Sequence, residues 1–299
     1  MATQNPIEFI KNRIQSLPLI DEAVWKVMPL LDDPSSTFEE IVEKLSPEIA
    51  TTFLKIANSA FYGRKVHSIN YAVKALGYDK MRHILISSTL INHFSKGFEV
   101  FSFEKFQNQA HFCASVAMVL GEIVEYKKPE DLFTVALLHN IGKLIIAVYF
   151  KDEYRKIIAL KKSEDITTIE AEKRILGVTH AEVGAFVLQR FKIPQNIADA
   201  VRFHVSAGTL PKGSDFQLAL IIREATKIVA KFSLPEEMES MEIVDRLKGT
   251  IEKGQKIYRQ NLRKELIRPE EQQQAFSALI KQASELVYHD LKGLRERGV

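Results

Sequence analysis

His139, Asn140 and Lys143 close the stretch Asp131–Lys143, which reads Asp-Leu-Phe-Thr-Val-Ala-Leu-Leu-His-Asn-Ile-Gly-Lys. The seven residues from Leu132 to Leu138 carry no charge, so a helix that buries them delivers an imidazole and an amide at its end. We expect the backbone to turn at Gly142, where a missing side chain widens the allowed conformations, and Lys143 to come free there. Two kinds of chemistry suit His139. A neutral imidazole is a ligand for divalent transition metals. A buried ring with both nitrogens satisfied by backbone instead ties helices together, and the stretch by itself leaves both readings open.

The elements that must position these groups are helical. Apolar residues recur at steps of three and four, while alternating runs are scarce, so the fold class is all-α. Pro18, Pro29, Pro34, Pro47, Gly63, Gly77, Pro129, Gly142, Gly177, Pro194 and Pro211 fall between periodic segments. Ser36-x-x-Glu39, Thr167-x-x-Glu170 and Thr179-x-x-Glu182 fit the capping box, in which a hydroxyl and a carboxylate each satisfy a backbone N–H at a helix start. The periodicity predicts helices over Asp79–Phe94, Ser102–Val124, Leu144–Phe150, Glu153–Lys162 and Thr168–Leu176. Another opens with His180 in its first turn and Gly184 one turn on, where a neighbouring helix can approach closely. Pro194 starts a helix ending near His204. Phe276, Leu279, Ile280, Ala283, Leu286, Val287, Leu291 and Leu294 share one face of a long C-terminal helix. That face either packs back on the domain or forms a basic arm for a partner or a second copy of the chain.

With 299 residues, 46% of them hydrophobic, the chain can bury a sizeable core in one large or two modest domains. Its net charge of +3 gives no support to a nucleic-acid or membrane-surface role. Residues 246–299 nonetheless hold twelve Lys/Arg against seven Asp/Glu. A lone cysteine, Cys113, allows no intrachain disulfide, suits a reducing compartment and is expected in the core. No leader follows Met1 and the uncharged apolar runs are short, so a cytoplasmic protein is expected.

The pentapeptide His139-Asn140-Ile141-Gly142-Lys143 resembles the His-Asp-x-Gly-Lys signature of the HD phosphohydrolase superfamily, with asparagine in place of the aspartate. Leu17-Pro18 through Leu31-Asp32-Asp33-Pro34, then Leu54–Gly63 and Ile69–Gly77, resemble the HDOD family, all-helical relatives of those hydrolases found in bacterial signalling proteins. Within them Asn58, Ser59 and Gly63 form a signature whose chemistry is structural. The asparagine and serine can bond carbonyls at a helix end while Phe61 and Tyr62 staple the turn. The resemblance implies an HDOD domain over residues 7–231, with halves at 7–95 and 102–231, and a helical extension over 235–299.

The resemblance also implies that His111, His139, His180 and His204 stand where the superfamily builds its metal centre. Asn140 removes the carboxylate that neutralises the cation and helps make bound water acidic enough to attack. Val205 follows His204 where many relatives carry a second histidine, and no Gly-Tyr-Pro follows, unlike the HD-GYP hydrolases. Asp199 and Glu182 are the nearest candidates for a compensating acid. Lys143 either pairs with a carboxylate or reaches solvent. The expected function is therefore a non-catalytic signalling module with a degenerate metal site, acting through a bacterial protein partner. The alternative is a metal-dependent phosphohydrolase acting on a nucleotide or phosphodiester. No cofactor is expected, and the group the resemblance allows is a divalent metal, Mn, Fe, Zn or Mg. A homodimer through the C-terminal helices is a further expectation.

Overall fold

No strand occurs among the described residues of this computed structural model, which are 103–191, 193–205, 213–232, 247–262 and 269–296, with separate positions between 8 and 91. The helices are α1 (Phe38–Glu43), α2 (Phe103–Ile123), α3 (Pro129–Leu138), α4 (Ile141–Tyr149), α5 (Lys151–Glu164), α6 (Thr168–Leu176), α7 (His180–Arg190), α8 (Gln195–Phe203), α9 (Phe216–Ala230), α10 (Lys248–Leu262) and α11 (Pro269–Glu296). Asn58, Ser59 and Gly63 lie outside the described residues. Of the helix expected over Asp79–Phe94, the described positions, among them Leu85 and Ile91, are helical.

α2 is surrounded. It packs against α3, α9, α10 and α11, which explains why Phe112, Cys113, Val116, Ala117 and Leu120 are all buried although they point in several directions. Cys113 has no exposure, and desolvation pushes its thiol up to about 12 despite the nearby Lys143 charge, so it stays a thiol. Ile10, Ile41, Phe53 and Leu85 join the same core.

Local chemistry starts the helices. The expected boxes are present at Thr167–Glu170 and Thr179–Glu182. The first box forms one residue later than expected, between Thr37 and Glu40. Ser36 is taken by a turn in which its N–H donates to Asp33 O at 3.1 Å, while the Asp33 carboxylate accepts from the Ser35 N–H at 2.8 Å. The chain enters α1 only after that turn closes.

Gly142 corrects the expectation in a more informative way. The turn lies at His139 and Asn140, which cap the end of α3 and the start of α4, and Gly142 sits inside α4. Its role is to leave space, because a Cβ there would come 1.8 Å from His180 O and 2.7 Å from Gly184 N. A Cβ on Gly184 would lie 3.3 Å from Gly142 N. α4 and α7 cross at these two glycines, and the crossing sets Asn140 and Lys143 beside the first turn of α7.

Pro129–Tyr149, spanning α3 and α4, has the length and apolar composition to cross a membrane, yet 83% of its most apolar 18 residues are buried inside the protein. The C-terminal helices pack back on the domain. Ile280 and Val287 have no exposure, Phe276 meets Phe216 at 6.4 Å between ring centroids, and Tyr288 meets Phe232 at 5.5 Å. Gln255 Nε2 donates to Glu122 O at 3.0 Å, joining α10 to the end of α2. The apolar stripe of α11 is thereby covered by α2, α9 and α10.

Candidate functional site

Three helix ends meet at a cleft of about 880 Å³. His139 caps α3, His204 caps α8, and His180 opens α7. His204 touches both other rings, at 5.1 Å from His139 and 5.4 Å from His180 between centroids, and crosses them edge to face. All three are at most 4% exposed.

His139 and His204 are fixed by the same device. Each donates from Nδ1 to the carbonyl three residues back, Ala136 O and Val201 O, both at 2.6 Å. Because a carbonyl only accepts, each neutral ring carries its proton on Nδ1 and its lone pair on Nε2. His180 is held differently. Its backbone N–H and its Nδ1 both reach the Glu172 carboxylate, each at 2.8 Å to Oε2. Its Nε2 is buried with no hydrogen-bond partner, as is Asn140 Oδ1. Asn140 occupies the N-cap of α4 without using its side chain as a cap, so the amide is turned into the cleft.

Electrostatics keep the rings neutral. Desolvation drives the pKa of His139, His180 and His204 well below the usual imidazole value; neighbouring histidines and Lys143 push the same way, while the backbone bonds of His139 and His204 oppose it. Burial raises Glu172 to about 7, against the lowering effects of the His180 N–H and the Lys143 charge. Lys143 is half-buried and lines the cleft; burial lowers its pKa and the Glu172 charge opposes that. Lys143 forms no ion pair among the described residues; the Glu172 charge acts on it through space and its side chain keeps partial access to solvent.

Not every expected residue arrives. His111 is not among the described residues lining the cleft, whereas Gln109 is. Two positions along a helix rotate a side chain by about 200°, so both cannot face the same way. Glu182 is used up by Thr179, and Asp199 accepts from Gln195 Nε2 at 2.7 Å and Ser214 Oγ at 2.6 Å. Neither lines the cleft; Val205 does. Sequence reasoning missed Glu172, whose one signal is its place a turn before the buried Leu176 in a charged helix. It also missed Lys161, Arg223, Lys227 and Lys281, which supply the other cations of the lining.

The donor set does not suit a catalytic divalent ion. Three Nε2 lone pairs and an amide oxygen are available, but they are neutral, and no Asp or Glu is among the described lining residues. Five side-chain cations surround them. Among the described residues no group of three or more His, Cys, Asp or Glu is arranged to hold a metal. A dication here would find no carboxylate among the described lining residues, and the Glu172 charge reaches it only through the His180 ring.

The model of the HDOD domain matches residues 17–207. An uncharacterised protein of Treponema pallidum (strain Nichols) is 25% identical over 202 residues, 65% of this chain, and the matched part spans 39% of that protein's length. Among solved structures, a candidate phosphohydrolase of Shewanella amazonensis SB2B has a TM-score of 0.63 at 23% identity, covering 91% of this chain and 97% of its own. An HDOD domain protein of unknown function from Geobacter sulfurreducens has a TM-score of 0.61 at 20% identity, covering 84% and 98%. A candidate signal transduction protein of Marinobacter aquaeolei VT8 has a TM-score of 0.57 at 18% identity, covering 93% and 66%. At these identities the structures establish the shared all-helical fold.

Proposed function

Because this chain belongs to the HDOD family, we propose that it is a regulatory module without hydrolytic activity, working through a protein partner in a bacterial signalling pathway. The observation that carries this reading is the charge of the cleft. Asn140 stands where the hydrolases of the superfamily place an aspartate, and the charged lining residues are all cationic. Hydrolysis by a metal-bound water needs that water acidified to a pKa of about 7. A metal flanked by lysines and held by neutral donors is disfavoured at the binding step itself. The likeness to the Marinobacter protein, described as a candidate in signal transduction, supports the regulatory half of the proposal. A cytoplasmic setting fits the lone buried thiol.

The test is metal analysis of the purified chain with turnover assays on cyclic dinucleotides, nucleoside phosphates and a generic phosphodiester. The reading expects substoichiometric metal and no turnover. Stoichiometric Mn, Fe or Zn, with turnover abolished by His139→Ala, overturns it. Asn140→Asp refines the result, since a variant that gains metal where the wild-type chain has none marks the site as a relict. A metal-dependent phosphohydrolase has one observation in its favour, the Nδ1 bonds that leave lone pairs on Nε2 of His139 and His204. The same measurements decide between the two.

A further inference from the structure

We propose that the cleft is a metal-free receptor for a phosphorylated small molecule, whose anionic group bridges the histidine-bearing core to the C-terminal helix α11. This rests on the reading that the cleft is not a hydrolytic metal centre. Four helices contribute its cations: Lys143 from α4, Lys161 from α5, Arg223 and Lys227 from α9, and Lys281 from α11. Two carboxylates behind the wall offset part of this charge. Glu224 accepts from Lys227 Nζ at 2.8 Å and lies 3.5 Å from Arg223 Nε, and Glu172 faces Lys143. Lys161 and Lys281 form no ion pair among the described residues, so the cleft keeps an excess of positive charge that an anion would balance.

Three lining residues carry a buried atom without a hydrogen-bond partner: Arg223 Nε is a donor that suits an anion, and the other two refine the ligand. His180, 2% exposed, turns a partnerless Nε2 to the cleft, and Asn140 Oδ1 beside it is likewise buried and unbonded. With Nδ1–H donated to Glu172, both atoms are acceptors. They call for donors such as the hydroxyls or amines of a metabolite, and an anion alone supplies few. Ile169, Val229 and Phe232 give the cleft an apolar side for a ring or carbon skeleton. A cavity of about 880 Å³ takes a small molecule rather than a nucleic acid or a folded partner. Multiple lysines and an arginine are the side chains that grip phosphate oxygens. Lys281 lies beyond residue 207, where the family match ends.

The test uses the full chain in EDTA, titrated calorimetrically with inorganic pyrophosphate and with ATP, while hydrogen exchange follows α11. Both probes are expected to bind without metal, and exchange in α11 is expected to slow. Lys281→Ala should weaken both about tenfold, the effect of losing one charge-assisted contact. Lys253→Ala, an exposed lysine of α10, should leave them unchanged. Binding should also fall as salt rises. Absence of binding by both probes, binding only after Mn is added, or equal affinities for Lys281→Ala and wild type each overturns the proposal. Binding in EDTA combined with Mn-dependent turnover instead removes the non-catalytic reading and leaves the receptor standing. No binding and no turnover removes the receptor alone.

Discussion

On one side of the cleft His139, His180 and His204 are at most 4% exposed, and each ring is fastened through Nδ1. On the other side Arg223 and Lys227 stand on α9 and Lys281 on α11; the Lys227 side chain is 54% exposed. The first wall is built at helix ends inside the core, so its residues are constrained by packing as well as by any chemistry. The second lies outside the segment matched by the family, and its contacts include the ion pairs of Arg223 and Lys227 with Glu224. The histidine wall is thus part of the packed core, whereas the cationic one is less constrained by packing.

The strongest way to break this contrast is Gly142→Val. A side chain there collides with the backbone of His180 and Gly184, neither of which can rotate away. We expect a loss of at least about 3 kcal/mol in urea unfolding, at the upper end for overpacked cores. Stability equal to wild type would mean that the crossing of α4 and α7 does not hold the histidine wall.

Acidification acts on the same wall with a smaller effect. The three histidines have folded pKa values well below 6.5, so the unfolded chain takes up protons first as pH drops through 6.5. Their contribution is fully present above 6.5 and is lost as pH falls through the folded values. Glu172 runs the other way. Raised from 4.5 to about 7, it favours folding below 4.5, and that contribution is lost as pH rises through about 7. Three groups outweigh one, so the melting temperature should drop on acidification. Glu172→Gln removes the single opposing group and should make the drop steeper, while costing about 1.5–3 kcal/mol at neutral pH through the lost charged bonds to His180. A melting profile that is flat or rises toward acid would contradict the buried, neutral state of the rings.

The smallest effect sharpens the comparison from the other wall. Lys227→Ala removes an exposed partner of Glu224 and leaves Arg223 beside that carboxylate. Stability should stay within about 0.5 kcal/mol of wild type. A loss above about 2 kcal/mol would make the cationic wall as structural as the histidine one.

Features governed by neighbouring residues were legible in the sequence. The boxes at Thr167 and Thr179, His180 in the first turn of its helix, and Gly184 as a contact point all follow from spacings within one turn or two. Gly142 stands out in the sequence, but sequence does not distinguish a glycine that bends the chain from one that admits a neighbour. Glu172 escaped notice because Glu170, two residues earlier, is an ordinary exposed cap, and only tertiary packing separates the two. The cations were illegible for a related reason. Among 41 lysines and arginines, those facing the cleft are chosen by how α5, α9 and α11 are set around it. His111 joined the histidine group by resemblance to the superfamily, and helical phase places Gln109 at the cleft instead.

The thiol at the centre of α2 has a practical consequence. Cys113 is the sole cysteine and is sealed from water by the helices around it. A thiol-selective reagent therefore has one address in the whole molecule, reachable only when that bundle parts. The labelling rate would serve as an internal clock for breathing of the core, readable by mass spectrometry without adding any probe.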